Sequence, residues 1–360
     1  MEKIREIEKV AVVKCSSYKQ NEVDKAVFKA LKLIKFDPRN RSSVLIKPNL
    51  VMLGNDKKRN IATITNPAIV EALCKFLKKN ECTIYIGESS FMNTDCFLKQ
   101  AGIEKIAKKY AKNKKPTIFE QEELIKIGDK KAKILKNFEI AKILKEVDYI
   151  IDIPKMKTHS LTEYTGGIKN LYGVIPGGMK QSLHNIARGE KKFSELLVDI
   201  YQNIKPHLTI MDAIVGMEGH GPTSGKPKKA KVILASKNTV ALDIAACKIM
   251  DIRPKDILHI KYAIERNLYP SYDFELTGLK KLPKIHFRKP WGATKIQKHS
   301  FLQKPIVCDT TKCIKCGICA SKCPGKAITL KPFPVIDKKK CIRCFCCMEI
   351  CPQHALRLAK

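Results

Sequence analysis

Apolar runs along this chain alternate with stretches whose apolar residues recur every three or four positions. Val10–Lys14, Val44–Pro48, Thr83–Gly87, Tyr149–Ile153, Leu208–Met211 and Val232–Ala235 have the length and β-branched content of buried strands. Between them, Glu22–Ile34, Pro67–Lys79, Phe97–Tyr110, Phe193–Ile204 and Thr239–Met250 carry helical periodicity. In the first of these, Val23, Val27, Ala30, Leu31 and Ile34 share one face. The second opens with Asn66 as a capping residue and Pro67 at the first helical position, where a missing N–H costs nothing. This alternation predicts an α/β fold, a largely parallel sheet covered by helices. Gly278, Pro283, Pro290, Gly292 and Pro305 then interrupt every period. We therefore read residues 1–278 as the α/β domain and 279–303 as a linker, with Trp291 packing between domains. Residues 304–360 form a small C-terminal α+β domain.

In such a sheet, ligands collect at the carboxyl ends of the strands, where loops meet. Lys47-Pro48-Asn49-Leu50 follows the second strand and Gly87-Glu88-Ser89-Ser90 the third. Pro154-Lys155-Met156-Lys157-Thr158-His159 follows the fourth and leads into Thr165-Gly166-Gly167-Ile168-Lys169-Asn170, then to His184. Gly216, Glu218-Gly219-His220-Gly221-Pro222 and Gly225-Lys226 follow the fifth. Glycines leave backbone N–H groups free for an anion, and lysines add point charges. Asn49, Lys157, Gly166, Gly167, Lys169, Asn170, Gly219, His220 and Gly221 are the candidate anion or substrate contacts. Lys47, Lys155, His159 and His184 are the candidate catalytic groups, the histidines as acids, bases or metal ligands. The plainer alternatives are core histidines, solvated lysines, and caps at Asp152, Asp212 and Asp243. No G-x-G-x-x-G occurs, and Gly221 to Lys226 is one residue short of phosphate-loop spacing, so nucleotide binding has no motif support.

Composition narrows the function classes. With 44% hydrophobic and 29% charged residues the chain is globular rather than disordered. No apolar run approaches the roughly 18–20 residues that span a bilayer, and the first residues show no leader, so we expect no membrane partner. The net charge of +34 invites a nucleic-acid reading. The lysines are spread along the chain, however, many on solvent faces such as Lys25, Lys29 and Lys32, as in heat-adapted proteins. No nucleic-acid module accompanies them, and nucleic acid is the weaker reading.

The strongest chemical signal is a duplication. Cys313, Cys316, Cys319 and Cys323, followed by Pro324, recur 28 positions later as Cys341, Cys344, Cys347 and Cys351, followed by Pro352. Asp309 and Asp337, Lys315 and Arg343, Ala327 and Ala355 keep the same register. C-x2-C-x2-C-x3-C-P is the spacing of thiolates holding a cubane 4Fe–4S cluster, the fourth cysteine of each half reaching the cluster of the other. This assigns Cys313, Cys316, Cys319 and Cys351 to one cluster, and Cys341, Cys344, Cys347 and Cys323 to the second. Zinc knuckles would use separated cysteine pairs and leave the crossed fourth cysteines unexplained. Cys308 and Cys346 lie off the repeat as packing or spare thiols. With eight of the 15 cysteines so engaged and the rest scattered, a reducing cytoplasm fits better than a disulfide-rich secreted setting.

Residues 304–360 thus resemble the two-cluster bacterial-type ferredoxins. They depart from them in charge, with 12 Lys or Arg against three Asp or Glu over residues 300–360. Positive charge favours the reduced cluster and an acidic redox partner protein. The stretches KPNL, TNPAIVEAL, IGESS, DIPKMKTH, GGIKNLYGVIPG, MDAIVGMEGHGP and ALDIAACKIM resemble the family catalogued as domain of unknown function 362, over about residues 8–250. That family is often fused to a ferredoxin pair, and it supplies no settled reaction. We expect an iron–sulfur protein in which two 4Fe–4S clusters feed a redox reaction on a small anionic substrate or cofactor. The alternatives are a non-enzymatic electron carrier or docking and assembly protein, and a basic nucleic-acid-associated protein with structural clusters. A flavin or further metal held without a motif is compatible with the sequence.

Overall fold

Every strand expected from the apolar runs is present, and two extend well beyond them. A computed structural model describes residues 7–290 and 304–359. Its strands are β1 (Lys9–Lys14), β2 (Ser43–Pro48), β3 (Thr83–Glu88), β4 (Thr117–Ile118), β5 (Leu124–Gly128), β6 (Asn137–Ala141), β7 (Tyr149–Ile153) and β8 (Lys155–His159). They continue as β9 (Glu163–Thr165), β10 (Leu208–Glu218), β11 (Lys226–Ser236), β12 (Glu275–Gly278), β13 (Ile306–Cys308), β14 (Ile328–Leu330), β15 (Pro334–Ile336) and β16 (Leu356–Leu358). A ten-stranded sheet has the order β12-β1-β11-β10-β7-β2-β3-β4, with β8 and β9 joined through β10. Its pairs are parallel except where β11 meets β1 and β10, and where β9 meets β8. The antiparallel β11 is the return arm of a hairpin with β10. β10 stays buried along its length, while the start of β11 reaches the surface with exposed lysines.

Helices cover both faces. Alternate residues of β1 enter different cores, Val10 and Val12 on one side and Ala11 and Val13 on the other, as a two-residue repeat requires. The expected apolar face of the first helix (Gln20–Leu33) is buried in the second core, and Asn66 accepts from the Ala68 N–H at the start of Pro67–Lys79. Each fully buried aliphatic side chain contributes about 1.5–3 kcal/mol. The stretch expected as one helix over Phe97–Tyr110 is two, Thr94–Gln100 and Ile103–Tyr110. Gly102 breaks it with a left-handed φ of +75°. A second difference concerns Lys155–His159, expected as a loop after Pro154. It is strand β8, and all five residues are buried. Its polar side chains hid the strand from an apolar-run criterion.

Residues 279–290 of the expected linker are tied to the large domain. The N–H groups of Ile285 and Phe287 donate to Ile249 and Met250 carbonyls, and Arg288 clasps Glu218. Trp291 lies outside the described residues. In the C-terminal unit, β13 pairs with β16 and β14 with β15, and two short helices, Ile318–Ser321 and Cys346–Glu349, lie 28 residues apart. Phe345, Met348 and Leu356 of this unit join the same apolar cluster as Phe193 and Leu196, so the two parts share a core.

Candidate functional site

The carboxyl ends of β2, β3 and β8 face a cavity of about 70 Å³. One wall is apolar, from Leu50, Val51 and Met52 after β2 and from Phe91, Met92 and Phe97 after β3. The polar lining comes from Asn49 and from Glu88, Ser89 and Ser90 at the same strand ends, and from other elements: Lys157 on β8, Lys169 and Asn170 on the short helix Gly167–Asn170, and Lys180 and His184 on helix Met179–Ile186. The last part of the lining is Glu349 and Ile350, contributed by the C-terminal unit.

Three of these lysines have no carboxylate partner within ion-pair distance among the described residues. Lys157 Nζ donates to Asn49 Oδ1 at 2.7 Å and to the Thr63 carbonyl at 2.8 Å. Lys180 Nζ donates to Ser89 O and Oγ at 3.0 and 2.9 Å. Lys169 Nζ lies 5.9 Å from the Phe193 ring centroid. Burial pulls all three below the ordinary lysine range, Lys180 to about 7. Clustered, desolvated ammonium groups of this kind favour an anion beside them.

Beneath them, Lys47 and Glu88 form a wholly buried pair at 2.8 Å, and the Ser89 N–H also donates to Glu88. Burial raises the Glu88 carboxyl, and Lys47 opposes it. Asn170 Nδ2 donates to Asp152 Oδ1 at 2.7 Å, while Asp152 Oδ2 has no hydrogen-bond partner. Burial lifts Asp152 to about 8. His159 is fixed by its Nδ1, which accepts the N–H groups of Leu161 and Thr162. Its neutral form therefore carries the proton on Nε2, 3.3 Å from Glu349 Oε1. Burial pulls His159 down to about 4. Glu349, opposed by burial, is nonetheless held below its ordinary range by His159 and Lys169.

The expected site residues divide accordingly. Asn49, Lys157, Lys169, Asn170 and His184 line the cavity. Lys47 lies under its floor, and Lys155 is spent elsewhere, donating to Asp212 at 2.7 Å and to Tyr18 at 2.8 Å. His184 is stacked on Phe193 with centroids 4.5 Å apart, and burial pulls it to about 3, so it is neutral at pH 7. Gly167 does not leave its amide open, and Gly166 has no room beside it. The N–H groups of Gly167 and Ile168 donate to Asp243, and a Cβ on Gly166 would collide with Tyr164 and Asp243. The anion this loop cradles is internal, so Asp243 caps an element distant in sequence. Gly219, His220 and Gly221 lie off the cavity, in the loop that seats the C-terminal unit. Thr223 Oγ1 donates to the Glu349 carbonyl at 3.2 Å, and Ser224 Oγ lies 3.2 Å from His354 Nδ1. Sequence reasoning missed Lys180 and Glu349, and it placed Glu88 in a site loop without giving it a role. Glu349 had a signal, a carboxylate in an otherwise basic unit, where the first repeat has Ser321.

Two further cavities of about 20 Å³ each lie in the C-terminal unit. Cys313, Cys316, Cys319 and Cys351 line one, with Cys308 beside them. Cys323, Cys341, Cys344 and Cys347 line the other. The crossed grouping expected from spacing is thus the spatial grouping. Among the described residues no three His, Cys, Asp or Glu side chains converge on a single-ion position. Four thiols around a small void fit a polynuclear cluster better than one zinc ion. Repeat-equivalent amides, Ala327 and Ala355, donate to Cys323 and Cys351 sulfurs at 3.3 and 3.2 Å.

Comparison with known proteins gives two family matches. The Domain of unknown function (DUF362) matches residues 44–248, and the 4Fe-4S dicluster domain, an iron–sulfur electron-transfer module, matches residues 312–357. A thylakoid-associated protein of Synechocystis sp. is 31% identical over 222 residues, covering 59% of this chain; the match spans 64% of that relative's length. Among solved structures, the lactate racemase apoprotein of Thermoanaerobacterium thermosaccharolyticum aligns with a TM-score of 0.43 and 15% identity, covering 71% of this chain and 58% of that one. No helix among the described residues is long and apolar enough to cross a membrane.

Proposed function

Because this chain belongs to the family described as Domain of unknown function (DUF362) and carries a 4Fe-4S dicluster domain in the same polypeptide, we propose that it is an iron–sulfur oxidoreductase acting on a small anion held at the carboxyl edge of the α/β sheet. The observation that carries this reading is the shared cavity: Glu349 and Ile350, just past Cys347, help to enclose the same space as Lys157, Lys169 and Lys180. A docking or carrier protein would have no need to seat its cysteine unit on a partly enclosed, lysine-lined pocket.

Cys313, Cys316, Cys319 and Cys351 would hold one 4Fe–4S cluster, and Cys323, Cys341, Cys344 and Cys347 the second. When bound, such clusters supply one-electron transfer. The chain's own residues bind and orient the ligand. Lys157, Lys169 and Lys180 attract its charge, Phe91, Met92 and Phe97 receive its apolar part, and closure against Ile350 excludes water. His159, neutral with its proton on Nε2, lies 3.3 Å from Glu349 Oε1 without a hydrogen bond between them, so both atoms are free to engage a ligand. The thiol content fits a reducing, cytoplasmic setting.

The test is anaerobic purification of the full chain with iron, sulfide and bound small-molecule analysis. Thermal stability is then measured with small carboxylates and inorganic phosphate. We expect iron and sulfide near eight each per chain, about four of each per cluster, and stabilisation by at least one anion that Lys169→Ala abolishes. Zinc in place of iron, or no anion that shifts stability, would overturn the proposal. Deleting residues 304–360 is a poor substitute, because it removes part of the cavity wall.

A further inference from the structure

The two cysteine quartets differ in where they face. Of the eight thiols only Cys316 is exposed, and it belongs to the quartet away from the anion cavity. Around it lies an apolar patch. Ile314 is 61% exposed and Leu330 44%, although both are large aliphatic side chains. The patch is continuous: Ile314, Cys316 and Gly317 border the same small cavity, and Leu330 Cδ1 approaches within 3.4 Å of where a Gly317 Cβ would stand. Lys315 leans over the Phe333 ring at 4.8 Å, bringing the β14–β15 turn with exposed Lys331 to the patch edge. An apolar centre rimmed by lysines is the anatomy of a protein docking site.

We infer that the face around Cys316 is the docking surface of an acidic electron-carrier protein, so that electrons enter at the outward quartet and leave at the inward one. The inference rests on the reading that both quartets hold clusters. Charge selects the partner, since this unit has 12 basic against three acidic residues over residues 300–360. A carrier with an acidic rim is steered to it, and a basic one is repelled. Each encounter moves one electron from the carrier's reduced centre to this chain, oxidising the carrier by one electron, with no bond made or broken. The inward quartet has no such access. Its neighbours Glu349 and Ile350 are committed to the anion cavity, and Phe345 is 1% exposed.

The experiment uses the full, cluster-loaded chain and a chemically reduced acidic bacterial ferredoxin as the probe, followed by stopped-flow absorbance. Reduction by dithionite in parallel reports whether the clusters are present at all, and so separates failure of this inference from failure of the cluster reading. We expect the ferredoxin rate to fall at least ~10-fold between low and high salt. The triple variant K312E/K315E/K331E should lose at least ~10-fold at low salt with dithionite reduction unchanged. K25E/K29E/K32E, with the same change in net charge on a distant helix, should lose less than ~3-fold. Equal slowing by both variants, or a salt-independent rate in the unaltered chain, would overturn it. Titration calorimetry of the unaltered chain with the same ferredoxin gives a readout free of electron transfer. Absence of salt-sensitive binding there counts against the surface.

Discussion

Gly317 and Phe345 occupy equivalent places in the duplicated cysteine pattern, and both have positive φ, +75° and +63°. Lys315 and Arg343 match likewise at +57° and +53°, and Lys326 and His354 at +48° and +49°. The left-handed residues are where a short loop must turn to aim successive sulfurs at one centre. The duplicated geometry thus follows from the duplicated spacing. The surroundings do not. Gly317 lies beside exposed Ile314 and Leu330, whereas Phe345 is buried against the large domain. Ser321 and Lys322 of the outward half correspond to Glu349 and Ile350, which line the lysine-bearing cavity. Equal ligand frames were given different neighbours by a few substitutions outside the ligands.

The sharpest trial of the equivalence is ligand removal. On the proposed assignment Cys316 and Cys344 belong to different clusters, so Cys316→Ser and Cys344→Ser should each cost about half the iron and half the visible absorbance. Unequal iron loss would mean the halves differ in more than surroundings. A second contrast concerns the strained position. Phe345→Gly gains about 1 kcal/mol by relieving the left-handed backbone but loses about 3–5 kcal/mol of aromatic burial. Net destabilisation of about 2–4 kcal/mol in denaturant unfolding follows from those two terms. Gly317→Ala should cost only about 1 kcal/mol.

A smaller effect separates the halves by ligand response. Glu349→Gln removes a carboxylate from the cavity wall and should tighten binding of a stabilising anion about 3- to 10-fold, read by titration calorimetry. Ser321→Ala, at the equivalent place, should leave that affinity unchanged. A last contrast is with pH. His159 titrates near 4 in the folded chain and near 6.5 unfolded, so below pH 6.5 the unfolded chain takes up a proton that the folded site refuses. Stability is lost as pH falls from about 6.5 to about 4, by about 2 kcal/mol at pH 5. His159→Asn, which keeps an acceptor for the Leu161 and Thr162 amides, should reduce that slope. An unchanged slope would place the acid sensitivity elsewhere.

Much of this was readable in advance, for identifiable reasons. β1, β2, β3 and β7 are short apolar runs buried on both faces, and burial of that kind leaves a plain record in sequence. β8 escaped because its buried residues are Lys, Met, Lys, Thr and His, and Lys155, Lys157 and Thr158 are satisfied by partners far along the chain. Of the expected site residues, Asn49, Lys157, Lys169, Asn170 and His184 reach one cavity because they follow strands whose carboxyl ends meet. Lys155 stands two residues from Lys157 on the same strand, yet it is consumed by Asp212. Nothing local distinguishes the two.

The sequence alone determined whatever depends on local spacing: the period of the apolar strands and helices, and the cysteine repeat with its crossed fourth cysteines. Those features are set by bond lengths, turn geometry and the reach of one side chain. The tertiary structure decided which charges are paired and which are left facing the cavity, that Asp243 fills the glycine loop, and that the second cysteine half closes the pocket while the first faces solvent. Those outcomes depend on residues far apart in sequence, such as Lys155 with Asp212, Gly167 with Asp243 or His159 with Glu349, which only packing of the whole chain brings together.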